Sequence, residues 1–316
     1  MAGTYLLADI GATNARFRII GELECPRNLV LRTLEYSSSK ELLLTVKDKL
    51  QIENLSGAML SVAGPVNQDE GSVVLTNSGH SFLAAELKET LGCQVWFEND
   101  FVALAHGVDC FVDLLQLGGD ARHEKVSAVL GPGSGLGMAT ILREENYLRV
   151  LASEGGHADF APGSHLESEI WSVLAMDLKY VSWESVLSGN GLVQLYEAMC
   201  RIWGFKSLNY EAQDITRLGA SLGDPICHQT LETFYGILGS VAGNFALTVG
   251  ALGGVYLAGS IVPATCDFAI KSPLRRRFEE KEALGQLLST VPIFIIKDLS
   301  PGLIGVEQCL RKHLNH

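Results

Sequence analysis

Two short glycine-rich turns constrain this chain more than any other feature. The first is Asp9-Ile10-Gly11-Ala12-Thr13-Asn14-Ala15-Arg16, and the second is Gly131-Pro132-Gly133-Ser134-Gly135-Leu136-Gly137. Each follows an apolar run (Tyr5 to Ala8; Val126 to Leu130) and precedes another (Phe17 to Ile20; Met138 to Leu142). The pattern predicts strand, tight turn, strand, used twice. Glycine lets the backbone bend sharply and bring its N–H groups close to an anion. Two such turns facing each other across a cleft would grip the two ends of a triphosphate. A P-loop is excluded, because neither turn is followed by Lys-Ser or Lys-Thr. A dinucleotide fingerprint is excluded too: the third glycine position holds Leu136 or Met138, and Met138–Leu142 reads as a strand rather than a helix.

The 316 residues leave room for two domains and a core that needs no staples. The formal net charge of −12 argues against a nucleic-acid partner, which would demand clustered Lys and Arg. Arg275-Arg276-Arg277 lies beside Glu279, Glu280 and Glu282 and reads as a solvated helix face. Seven scattered cysteines, Cys25 among them and none in a C-x-x-C pair, predict reduced thiols and a cytoplasmic location. Asp9, Arg16 and Arg18 interrupt the N-terminal apolar stretch, so no signal peptide is expected. Thr233 to Cys266 carries no charge, yet its seven glycines and Asn244 favour a buried helix ending near Gly250, then a core strand Val255–Ala258, over a membrane span. Asp224-Pro225 supplies that helix with an N-cap and a first-turn proline.

Strands are predicted at Tyr5–Ile10, Arg16–Ile20, Leu29–Leu34, Ala58–Val62, Val73–Leu75, Val95–Phe97, Val255–Ala258 and Pro292–Ile296. Helices are predicted at Glu41–Leu50 and Phe82–Leu91, through most of Leu166–Gly250, and from Ser300-Pro301 towards Arg311. The expected organisation is a small α/β domain over residues 1–110 joined by the C-terminal helix 300–316, and a large α/β domain over 111–299. Ligands in such folds sit at strand carboxyl ends. Asp9 and Gly11, Glu98-Asn99-Asp100 and Gly259-Ser260 all fall there.

Asp100 leaves an aromatic strand and is placed to accept a proton from a bound hydroxyl, with Asn99 beside it to hold a second hydroxyl. A helix cap at Asp100 is the competing reading. Glu154-Gly155-Gly156-His157-Ala158-Asp159 combines polar side chains with approachable backbone. It suits a small polar ligand; a metal bound by Glu154, His157 and Asp159 is its rival. Glu184, ahead of Ser188-Gly189-Asn190-Gly191, reads alone as a capping or surface carboxylate.

Taken in order, these segments, with Gly253–Pro263 and Pro301-Gly302-Leu303, resemble the bacterial glucokinase family of the non-ROK branch. The resemblance covers nearly the whole chain. It implies a two-domain ribonuclease-H-like, actin-like fold with the active site in the interdomain cleft, and ATP-dependent phosphorylation of glucose at its 6-hydroxyl. It further implies that Asp100 is the general base and that Asn99, Asp100, Glu154, His157 and Glu184 bind the sugar. Ala8, Asp9, Ile10, Gly11, Ala12 and Thr13 would form the first phosphate loop, with Gly133 and Ser134 in the second. Gly259 and Ser260 would border the adenosine, Asp9 would orient Mg2+ through water, and the protein would be a cytoplasmic homodimer.

There are departures. Ala12 stands where glycine is usual, Asn190 where proline is common and Ser260 where a second glycine is expected, while Asn77-Ser78-Gly79-His80 lacks a nearby tryptophan. The alternatives are a kinase for another hexose or an amino sugar, use of ADP or polyphosphate as donor, or a sugar-binding regulator without catalysis.

Overall fold

The computed structural model describes residues 3–21, 27–67, 69–75, 79–120, 126–145 and 147–314. Asn77, Ser78 and Cys25 lie outside the described residues. The chain divides into two compact units, Met1–Val112 with Asp298–His316, and Asp113–Lys297.

The first unit begins with β1 (Tyr5–Ile10), β2 (Asn14–Ile20) and β3 (Arg27–Arg32), followed by α1 (Ser39–Lys49) and β4 (Gly57–Val62). A small antiparallel sheet of β5 (Val66–Asn67), β6 (Ser72–Val74) and β7 (Ser81–Leu83) comes next, then α2 (Ala84–Leu91), β8 (Val95–Asn99) and α3 (Asp100–His106). The main sheet runs β3-β2-β1-β4-β8. β1 pairs antiparallel with β2 and parallel with β4, and β4 is parallel to β8. β1 and β4 are buried along almost their whole length. This is the near-continuous apolar signature of strands covered on both faces. The strand predicted over Leu29–Leu34 stops at Arg32, because Thr33–Glu35 turns into a 3-10 helix. There the Thr33 N–H donates to the Thr13 carbonyl at 3.0 Å and its hydroxyl to the Gly11 carbonyl at 2.7 Å.

The second unit repeats this plan. β9 (Leu114–Leu117), β10 (Val126–Pro132), β11 (Leu136–Arg143), β12 (Leu148–Ser153), β13 (Val255–Leu257) and β14 (Ile293–Ile296) form a sheet in the order β12-β11-β10-β13-β14-β9. Again the hairpin strand, here β10, is antiparallel to its successor and parallel to a strand far along the chain. Between β12 and β13 lie α4 (His165–Asp177), α5 (Gly189–Trp203), α6 (Ala212–Ala220) and α7 (Pro225–Val249). The Asp224 carboxylate caps α7 by accepting from the Ile226 and Cys227 N–H groups, and Gly250 ends it at φ +69°. Most of α7 is buried, and among the described residues no helix is long and apolar enough to cross a membrane.

Later come α8 (Ile261–Ala264), α9 (Cys266–Lys271), α10 (Leu274–Glu279) and α11 (Gly285–Ser289). The arginine cluster on α10 is not the solvated face its composition suggested. Arg275 donates to the carbonyls of Leu117, Leu288, Ser289 and Val291, and so takes up the open carbonyl end of α11. Arg277, 11 % exposed, pairs with Glu167 at 2.7 Å and donates to the Ser240 hydroxyl. Only Arg276 meets the expectation, with an exposed i,i+4 partner in Glu280.

The C-terminal helix, Pro301–Leu314, belongs to the first unit. Its Leu303, Val306, Cys309 and Leu310 share a buried cluster with Tyr5, Leu7, Met59 and Ala103.

Candidate active site

In the first unit the functional candidates gather at the carboxyl ends of the three parallel strands. Asp9 lies opposite Ser61 in the β1–β4 register, and Val62 lies opposite Asn99 in the β4–β8 register. The first turn is closed by the Gly11 N–H donating to the Asn14 carbonyl at 3.0 Å. Ala8 and Ile10 have fully buried side chains and offer a ligand only backbone, whereas Thr13 is exposed at the tip. Ala12 is not among the residues of positive φ, so the methyl group that replaces glycine costs the loop no backbone strain.

The Asp9 side chain is 19 % exposed. Arg16 stands 3.9 Å away and the Ser61 hydroxyl donates to it at 3.4 Å. Burial pushes the Asp9 carboxyl up from its ordinary value, against the opposing pull of Arg16 and Ser61. Neither contact is short, so the carboxylate retains lone pairs for a hydrated cation. Among the described residues no three His, Cys, Asp or Glu side chains gather as a metal cage, and Glu154, His157 and Asp159 do not form one. A single carboxylate of this kind fits Mg2+, which keeps most of its waters and completes its shell with substrate phosphates.

At residues 99–100 the helix cap falls to Asn99 rather than Asp100. Asn99 is the N-cap of α3, its side-chain oxygen accepting from Phe101 N–H at 3.0 Å and Val102 N–H at 3.1 Å. Its amide nitrogen donates to the Gly64 carbonyl at 3.1 Å. Asn99 therefore keeps a second amide N–H for a further acceptor. Asp100 is the first residue of the helix, partly buried, and its Oδ1 accepts from the Phe101 N–H at 3.0 Å. Composition alone does not separate these roles, since Asn and Asp cap equally well. His80 faces backbone: its Nε2 is 2.8 Å from the Tyr36 carbonyl.

In the second unit the sugar candidates and the second turn are wired together. The segment 156–160 runs beside 181–184, with the Glu184 N–H donating to the Gly156 carbonyl at 2.8 Å and the Trp183 N–H to the Ala158 carbonyl at 3.0 Å. The Glu184 carboxylate, Oε2, accepts from the Leu136 N–H at 2.8 Å, where β11 leaves the turn. The Gly189 N–H, at the start of α5, donates to the Gly133 carbonyl at 2.8 Å. Glu154 precedes a 3-10 turn that His157 ends, and both are exposed. Asn190 sits in the first turn of α5 in helical conformation, so no left-handed turn is needed there.

Gly259 is left-handed at φ +85°, and a Cβ on it would overlap the Pro132 carbonyl. A Cβ on Gly131 would lie 2.5 Å from the Ala258 carbonyl carbon. The two segments therefore touch backbone to backbone. Ser260, exposed, lies on the Gly133 side of this contact, its hydroxyl 4.0 Å from where a Gly133 Cβ would be. Sequence reasoning missed Ser61 and Thr33, the polar partners of the first turn. Neither belongs to a motif, and only the strand pairing brings them to Asp9 and Gly11.

Two sheets of one topology, each with a glycine hairpin at the carboxyl end of its central strand, define the actin-like ATPase class of sugar kinases. A glucokinase family profile matches residues 6–313. A glucokinase of Chromobacterium violaceum is 36% identical over 98% of this chain and 90% of its own length. The crystal structure of a glucokinase from an Antarctic psychrotroph superposes with a TM-score of 0.80 at 31% identity, covering 98% of this chain and 99% of that one. A ROK family glucokinase from Streptomyces griseus in complex with glucose and AMPPNP shares the fold, with a TM-score of 0.69 at 18% identity over 98% of this chain and 100% of that one. The chain belongs to the glucokinase family.

Proposed function

We propose that this protein transfers the γ-phosphoryl group of ATP to the 6-hydroxyl of glucose, with Asp100 as general base. The observation that carries the reading is the division at the end of β8: Asn99 takes the cap, and Asp100 stands beside it at the strand terminus. Asp100 accepts the proton of the 6-hydroxyl as that oxygen bonds to the γ-phosphorus, the bond from the γ-phosphorus to the β–γ bridging oxygen breaks, and ADP leaves. Asn99, Glu154, His157 and Glu184 hold the remaining hydroxyls. The backbone of Ala8–Thr13 and of Gly133-Ser134 cradles the phosphates, and Gly259-Ser260 borders the adenosine. Asp9 orients hydrated Mg2+, which when bound offsets phosphate charge. Phosphoryl transfer asks for little more, since positioning and charge stabilisation supply most of its catalysis.

Glu184 holds the sugar with one carboxylate oxygen while its other oxygen holds the N–H of Leu136, which ties the sugar site to the second phosphate turn. The ROK family glucokinase that shares this fold is in complex with glucose and AMPPNP, the same substrate pair in analogue form. The reading includes a cytoplasmic homodimer.

The test is ADP release with Mg-ATP across a panel of sugars, for wild type and Asp100→Asn, alongside glucose binding. Glucose-selective turnover that collapses in the variant while glucose still binds is the expected result. Turnover restricted to another hexose would change the substrate, and glucose binding without turnover in wild type would sink the kinase reading.

A further inference from the structure

Two acids on different elements must keep a fixed separation for in-line transfer, because a misplacement of about 1 Å can cost roughly a hundredfold in rate. Asp9 lies on β1 and Asp100 opens α3. Both elements rest on the same third element, the C-terminal helix, through two glycines spaced three residues apart on one helix face.

Gly302 lies in the first turn of that helix. A Cβ there would overlap the Asp9 carboxylate, meeting Oδ2 and Cγ and lying 2.8 Å from Oδ1. Gly305 lies one turn further on, where a Cβ would overlap the Ala103 carbonyl of α3 and lie 2.9 Å from the Leu104 Cα. Gly107, just past α3, answers it from the other side: its own Cβ would lie 3.0 Å from the Gly305 Cα. The helix cannot back away to make room, because Leu303, Val306, Cys309 and Leu310 are locked in the cluster with Tyr5, Leu7, Met59 and Ala103. Close-packed interiors transmit such overlaps rather than absorb them.

We infer that the C-terminal helix is a positioning brace in which Gly302 seats the Asp9 carboxylate and Gly305 sets the approach of α3, and with it Asp100. This rests on the roles proposed above for the two acids. Gly302 and Gly305 are positioning residues and touch no substrate. They also explain why a segment that follows the whole second unit in sequence is built into the first.

The test compares full-length Gly302→Ala, Gly305→Ala, Asp9→Ala and the double variant Asp9→Ala/Gly302→Ala, with Gln308→Ala on the same helix as control. Thermal unfolding, glucose binding, kcat and the Mg2+ concentration for half-maximal rate are measured for each. Gly302→Ala is expected to lower kcat roughly a hundredfold, to raise the Mg2+ requirement and to leave glucose binding intact. Its Tm should fall by at least roughly 2–4 °C, and that fall should vanish in the Asp9→Ala background, where the carboxylate it strikes is gone. A single variant that fails to fold while the double variant folds would show the same coupling. Gly305→Ala should lower kcat and weaken glucose binding through α3, with a Tm loss that persists without Asp9.

A Tm loss for Gly302→Ala that is the same with and without Asp9, or an unchanged kcat and Mg2+ requirement, would overturn the inference. Were Asp100→Asn to turn over like wild type, the functional reading would fall, yet a coupled Tm shift would still uphold the seat at Gly302.

Discussion

The two hairpins occupy the same place in the same topology and are built for different work. In the first, the penultimate residue of β1 is Asp9, held loosely by Arg16 and Ser61 and seated on Gly302. The corresponding position of β10 is Gly131, pressed against the Ala258–Gly259 backbone so closely that no side chain fits. At this position, therefore, one turn presents a carboxylate and the other only backbone. The same contrast extends outward. The first unit half-buries titratable groups, Asp9, Glu98 and His106, that are not matched by short ion pairs; desolvation pushes both carboxyls up and the imidazole down. The second unit buries a matched pair, Arg277 with Glu167. A repeated fold fixes where a loop can stand, and the neighbours of that loop decide what it can carry.

The sharpest way to break this comparison is to remove chemistry from the first unit alone. Asp100→Asn should lower kcat roughly 10²–10⁴-fold, the range for loss of a general base, with glucose affinity retained; steady-state kinetics and a binding titration check both. Glu167→Gln tests the opposite half. It leaves the largely buried Arg277 with only the exposed Glu280, 3.6 Å away, as counter-ion, and should lower stability by up to about 3–5 kcal/mol, read by urea unfolding. Because Glu167 also accepts from the Gly163 N–H at 2.7 Å, the loop ahead of α4 should loosen, and KM for glucose should rise more than kcat falls.

Gly259→Ala comes next. The left-handed backbone and the overlap with Pro132 should destabilise the second unit by about 1–3 kcal/mol. The variant should raise KM for ATP more than that for glucose, measured by varying each substrate.

The smallest effect concerns pH. Burial, reinforced by Lys312, lowers the His106 pKa from 6.5 to about 4. Below pH 6.5 the unfolded chain takes up a proton that the folded chain refuses until about pH 4, so stability falls as pH drops through that window. His106→Gln should flatten that slope in urea midpoints collected across it. An unchanged slope would assign the acid sensitivity elsewhere.

Local residue pattern determined the hairpins, the strand ends and α7. Glycine spacing, apolar runs and the Asp224-Pro225 cap are features of neighbouring residues, and propensity and capping act over one or two turns. The order of motifs likewise carried the family. What stayed hidden depends on partners distant in the chain. Arg275 and Arg277 look solvated beside three glutamates, and only packing reveals the carbonyls and the Glu167 carboxylate that hold them. Asn99 and Asp100 are interchangeable as caps in sequence, and the strand-to-helix geometry assigns the cap to Asn99.

Gly302 shows the limit most plainly. Its sequence neighbourhood, Pro301-Gly302-Leu303, reads as an ordinary helix start, and nothing local connects it to Asp9 at the other end of the chain. Sequence by itself determined the elements and the residues able to do chemistry, because those properties are short-range. Tertiary structure decided which acid meets which glycine, because the closeness of two distant segments is fixed by close packing of the core between them.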